Sequence, residues 1–166
     1  MEASDDGRLT PLPSDRRTSP GPMPNSTIRT QPAERRQVAA LPWRRGAGGL
    51  EVLLVTSRET RRWVTPKGGR MVGLTDAAAA AQEALEEAGV EGVIGDAPLG
   101  TFRYLKMLKR RAPRWCVVAV YALEVRVEHP TWHEQAERER AWMSVEQAAS
   151  SVSEPDLARI IRTYQP

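Results

Sequence analysis

An α/β/α sandwich on a mixed β-sheet is the fold class this sequence predicts, and three observations predict it. Residues 63–90, WVTPKGGRMVGLTDAAAAAQEALEEAGV, read as a strand end, a Gly-rich loop and then a helix. Leu50 to Ser57 (LEVLLVTS) is a largely apolar run of strand length, the pattern of a central strand buried on both faces. Glu154 to Thr163 closes the chain with a helical pattern. Together they place a Glu83–Glu87 helix on one side of the sheet and the C-terminal helix on the other.

The elements follow in order. Residues 1–34 hold Pro11, Pro13, Pro20, Pro22, Pro24 and Pro32 among Ser, Thr and scattered charge. Such a segment buries too little apolar surface to offset its ordering entropy, so a disordered tail is expected, with one domain over 35–166. Gln37 to Trp43 reads as a first strand and Gly46 to Gly49 as a turn. Arg58, Arg61 and Arg62 follow in a loop that either is solvated or faces phosphate. Trp63 to Thr65 delivers the chain into the loop of Pro66, Gly68, Gly69 and Gly73. The helix begins near Thr75 or Asp76 and ends at Gly89, which takes a left-handed cap without a Cβ penalty. Val93-Ile94 and Leu99 to Leu105 are strands separated by a Gly95–Pro98 turn. Lys106 to Arg114 reads as a basic hairpin loop or as a rim for a phosphorylated ligand. Trp115 to Val127 is the longest strand, Trp132 to Glu139 a loop or short helix, and Trp142-Met143 closes a strand. Ser144 caps a helix starting at Val145. His129 and His133 read as surface residues, because no nucleophile accompanies them.

Glu83, Glu86 and Glu87 carry the chemistry. At offsets of 0, +3 and +4 they lie on one helix face, repel one another, and stand at the end of the helix where the dipole disfavours anions. Ala77, Ala81, Leu85 and Ala88 are expected to form the opposite, packing face. A divalent cation resolves the repulsion, and oxygen ligands suit Mg²⁺, with Mn²⁺ as an alternative. On repulsion alone, neutralising Glu87 should hold or raise the melting temperature of the metal-free chain.

The same stretch resembles the Nudix box, G-x5-E-x7-R-E-U-x-E-E-x-G-U with U apolar. Gly68, Glu83, Ala84, Glu86, Glu87, Gly89 and Val90 match in register, while Leu74 stands at the Glu position and Gln82 at the Arg position. Trp63, Pro66-Lys67-Gly68-Gly69 and Arg138-Glu-Arg-Ala-Trp142 are similar to the diphosphoinositol polyphosphate phosphohydrolase branch. The resemblance implies a Nudix-type fold and a Mg²⁺-dependent pyrophosphohydrolase. It makes Glu86 and Glu87 principal metal ligands, Glu83 a third ligand or the general base, and a backbone carbonyl at Lys67 or Gly68 a further ligand. The substrate-binding residues expected are Arg35, Lys67, Arg110, Arg111, Arg114 and Arg140. The substrate implied is a highly phosphorylated small molecule, of diphosphoinositol polyphosphate or dinucleoside polyphosphate type. The rival reading is a module of this fold that binds phosphorylated ligands or nucleic acid without turnover.

Composition narrows the classes. The chain has 166 residues, 40% of them hydrophobic, enough for one domain core. Its net charge of +3 is compatible with an anionic small molecule, and nucleic acid is not the expected partner. No apolar run approaches a membrane span, and the N-terminus lacks the apolar core of a signal peptide. A single Cys116 forms no internal disulfide, which fits a reducing, cytoplasmic setting.

Overall fold

Central strands β1 (Arg35–Gly46) and β2 (Gly49–Thr56) show no in–out alternation: Gln37 through Leu41 and Val52 through Thr56 are all buried. Such strands need cover on both faces, and helices supply it. The computed structural model describes residues 34–108 and 111–166. Residues 1–33 of the expected tail, and Arg110 of the expected rim, lie outside the described residues.

The remaining elements are β3 (Trp63–Val64), β4 (Lys67–Gly69), α1 (Asp76–Ala88), β5 (Val90–Leu108), β6 (Arg111–Glu128), β7 (Arg140–Ser144), α2 (Val145–Ser151) and α3 (Pro155–Thr163). The sheet runs β3-β2-β1-β6-β5, with β4 paired to β1 and β7 to β2. It is mixed: β1 and β6 are parallel, from Arg35 opposite Cys116 to Trp43 opposite Glu124, and the other pairs are antiparallel. The expected α/β architecture is therefore present. Among the described residues no helix is long and apolar enough to cross a membrane.

Local expectations held where local chemistry decides. Gly49 turns the β1–β2 hairpin with φ of 116°. Thr75 caps α1 by accepting from the Ala78 N–H at 3.1 Å, and Gly89 ends it in the left-handed region. Ser144 forms a reciprocal capping box with Gln147 at the start of α2. Glu154 is the N-cap position of α3, with Pro155 at its first turn.

Three expectations are corrected. Gly95–Pro98 is not a turn between strands but an irregular stretch inside β5. Ile94 faces Leu123 and Pro98 faces Tyr121, so the ladder to β6 continues past the surplus residues as a bulge. Lys106 and Arg114 are not in a loop; they stand opposite each other in the same ladder. Of the two alternatives for Trp132–Glu139, a loop or a short helix, the structure shows turns. The packing face of α1 is Ala77, Ala80, Ala84, Glu87 and Ala88, with Ala79 beside it, whereas Ala81 and Leu85 are only half-buried. Alanines let the helix sit close to the sheet, and that closeness carries Glu87 inward with them.

Candidate active site

The end of α1 is built by residues far away in sequence. Its exposed carbonyls need donors, and the loop after β6 supplies them. The Trp132 indole N–H donates to the Glu87 carbonyl at 3.1 Å and the Glu134 N–H to the Glu86 carbonyl at 3.1 Å. The His129 N–H reaches the Gly89 carbonyl at 2.8 Å. Arg140 donates to the Ala88 carbonyl at 2.6 Å and to the His129 carbonyl at 2.9 Å, lies over the Trp132 ring at 4.1 Å, and pairs with Glu128 at 3.1 Å. The guanidinium expected to bind substrate is thus engaged at the helix end. Gly89 is needed here twice over: its φ is 64°, and a Cβ would stand 2.7 Å from that of Trp132.

Glu87 lies under this cap. Its side chain is 7% exposed, and both its oxygens accept bonds. One takes the Lys67 backbone N–H at 3.0 Å and the other a guanidinium N–H of Arg138. Arg138 also donates to Glu134 at 2.5 Å and to the Thr56 carbonyl at 3.0 Å. Burial pushes the Glu87 carboxyl above its ordinary range, against the opposing pull of Arg138 and the Lys67 N–H. Glu83 packs on the Gly68 backbone, where any Cβ would overlap its carboxylate. Burial, then the charges of Glu87, Glu86 and Glu134, push the Glu83 carboxyl up to about 7. Glu86 accepts from the Gln82 amide at 2.7 Å and lines a cleft of about 430 Å³ with Glu91, His129 and Trp132. His129 pairs with Glu91 at 2.5 Å in a half-exposed contact.

A basic cluster adjoins the carboxylates. The Lys67 ammonium lies over the Tyr104 ring at 5.1 Å, with Arg62 over the same ring at 5.8 Å. Dense packing, though Lys67 as a whole residue keeps some exposure, pushes its pKa down; Glu87 opposes the shift, and Arg138, Arg62 and Lys106 add to it. Arg62 is held by the buried Glu154, and the Tyr104 hydroxyl donates to Gln37 at 2.6 Å. Arg35 lies beside the Gly loop, its guanidinium 3.4 Å from where a Gly69 Cβ would stand. Arg114 is exposed on β6, and Arg111 opens that strand. Leu74 is exposed and takes no part in the carboxylate group.

Among the described residues, no three His, Cys, Asp or Glu side chains are arranged to hold a metal ion. The donor chemistry nevertheless suits a hard divalent cation: Glu83, Glu86, Glu87 and Glu134 offer carboxylate oxygens, and burial together with the neighbouring carboxylate charges raises Glu83. Glu134 and the bridging role of Arg138 escaped the sequence reading. They stand dozens of residues beyond the box, and only the tertiary cap on α1 brings them in.

The sequence matches the NUDIX domain family over residues 33–164, so the chain belongs to the Nudix family. It is 36% identical over 104 residues to Nudix hydrolase 13, mitochondrial, of Arabidopsis thaliana, covering 60% of this chain and 52% of that protein. To diphosphoinositol polyphosphate phosphohydrolase 3-beta of Homo sapiens it is 35% identical over 128 residues, covering 75% of this chain and 74% of the relative. The chain spans about half the length of Arabidopsis Nudix hydrolases 12 and 13. In fold it is similar to a Caenorhabditis elegans Ap4A hydrolase complex, with a TM-score of 0.57 and 21% identity, covering 77% of this chain and 93% of that one. The NUDIX domain of Shewanella oneidensis NrtR with ADP ribose matches with a TM-score of 0.58 and 17% identity, covering 83% and 92%.

Proposed function

We propose that the chain is a Mg²⁺-dependent hydrolase that cleaves a pyrophosphate linkage in a highly phosphorylated small molecule. Diphosphoinositol polyphosphates and dinucleoside polyphosphates are the substrate types. The observation that carries this reading is the meeting of opposite charges at the Gly loop. Glu83, Glu86 and Glu87 come from α1, Lys67 stands against Glu83 and Glu87, and Arg62 and Lys106 stand near Lys67. Carboxylates alone would repel polyphosphate, and cations alone would only bind it.

Glu86 and Glu87 would hold the metal, with Glu83, Glu134 and the Lys67 carbonyl as further oxygen donors. When bound, the ion would neutralise phosphate charge and acidify the attacking water. Lys67, Arg35, Arg111 and Arg114 bind and orient the phosphates, together with Arg110 outside the described residues. Glu83 either completes the metal's ligand set or takes the water's proton. Arg140 belongs to substrate binding only through the helix end it holds. A buried thiol at Cys116 suits a reducing compartment, the setting in which we place the reaction.

The second reading, a binding module without turnover, draws on Leu74 and Gln82 and on the engagement of Glu87 by Arg138. Purified full chain is incubated with Mg²⁺ and a panel of diphosphoinositol polyphosphates, dinucleoside polyphosphates, inorganic polyphosphate and nucleoside triphosphates. Metal-dependent release of phosphate or nucleotide from the highly charged members supports the enzyme. Tight binding of any member with no release across the panel supports the module.

A further inference from the structure

We propose that Arg138 is the positioning residue of this site: it locks Glu87 and Glu134 together as the frame on which the divalent cation binds. The inference rests on the metal-dependent reading above and goes beyond it, because Arg138 lies outside the box and bonds Glu87, Glu134 and the Thr56 carbonyl.

Three acceptors from three parts of the chain hold one guanidinium. Glu87 comes from α1, Glu134 from the loop after β6, and the Thr56 carbonyl from the end of β2. The Arg138 side chain is 5% exposed and that of Glu134 is 14% exposed, so this is an interior network rather than a surface pair. A planar fork with rigid donors fixes the direction of each carboxylate, which a flexible ammonium does not. The Thr56 carbonyl anchors the fork to the central sheet, so the carboxylates inherit the rigidity of β2.

The division of labour on α1 supports the same assignment. Gln82 reaches Glu86 from its own helix at 2.7 Å with a neutral donor. The Glu87 carboxylate takes its bonds from off the helix, from the Lys67 N–H and from Arg138. Each carboxylate oxygen has two lone pairs, so these bonds leave acceptor capacity for a cation. Arg138 also offsets part of the mutual repulsion of Glu83, Glu86, Glu87 and Glu134 before any metal arrives. Positioning and counter-charge therefore come from one side chain.

Mn²⁺ binding to the full-length chain is measured by titration calorimetry, with melting in EDTA alongside. Arg138→Gln is expected to weaken Mn²⁺ binding by about 10–100-fold, the range seen when partners of metal ligands are removed. Arg138→Lys restores charge without the fork and is expected to recover only part of that loss. Placed in a Glu87→Gln background, Arg138→Lys is expected to add a smaller loss than it causes in the wild type, because its contact to Glu87 is already altered and only that to Glu134 remains to be lost. Equal or tighter Mn²⁺ binding by folded Arg138→Gln overturns the assignment, and so does a full additional loss in the double variant. Should Arg138→Gln fail to fold, Arg138→Lys decides: wild-type affinity overturns the proposal. Absence of Mn²⁺ binding by the wild type would remove the metal reading itself, which separates that failure from this one.

Discussion

Glu87 and Glu83 are four positions apart, and burial favours the neutral form of both. Glu87→Gln removes one of the two carboxylates that face the Arg138 guanidinium, and Glu134 stays on it. Because the Glu87 carboxyl lies above its ordinary range, the cost of burying its charge exceeds what Arg138 returns. The metal-free melting temperature is expected to hold or rise slightly, as helix-face repulsion alone also expects. Turnover of Glu87→Gln is expected to drop by orders of magnitude, roughly 3–4 kcal/mol if the loss resembles removal of another electrostatic stabiliser. Unchanged Mg²⁺-dependent turnover would exclude Glu87 from the chemistry. Glu83 has a folded pKa of about 7, above its ordinary 4.5. A raised acid favours the fold while protonated, so its contribution is full below 4.5 and is lost as pH rises through 7. In EDTA, wild type is expected to lose more stability between pH 5 and pH 8 than Glu83→Gln does. Parallel melting curves for the two proteins would contradict this.

At the scale of the element, α1 was legible in the sequence because both its caps are local signals. Thr75 and Gly89 need only their immediate neighbours to act. The three glutamates were legible for the same reason, since helical periodicity alone puts them on one face. What escaped was everything set by the opposing surface. Arg140 carries a charge suited to phosphate, yet it sits on the carbonyls of Ala88 and His129. Gly95–Pro98 has turn chemistry, yet β6 runs alongside and holds it in the ladder. Gly89→Ala tests the helix end. Forcing a side chain into the left-handed region costs about 1–2 kcal/mol, and contact with Trp132 adds to it. The variant is expected to melt lower and to exchange the His129 and Glu134 amide protons faster than wild type. Unchanged protection at those amides would show that the loop stands without Gly89.

Across the whole molecule, charge is divided between chemistry and binding in the function we propose. Glu83, Glu86 and Glu87 come from one helix and Glu134 from the loop after β6, while the cations come from β4, from the loop after β2, and from β5 and β6. Replacing Arg110, Arg111 and Arg114 together by Ala is expected to raise KM most for the most highly charged substrates and to leave kcat nearly unchanged. Contacts equal in ground and transition states affect binding alone. An equal fall in kcat for every substrate would place these arginines in the reaction instead.

The parallel pairing of β1 with β6 also has a consequence for biosynthesis. Arg35 meets Cys116 and Trp43 meets Glu124, so the first strand made waits for the sixth. At about 5–20 residues per second, that wait is on the order of ten seconds. During it, α1 and its glutamates have emerged, but one flank of β1 has no neighbour. An open, apolar strand edge is a template for other chains. A nascent chain stalled before Arg111 is therefore at its most adhesive, and a factor that shields β1 would raise the yield of folded protein.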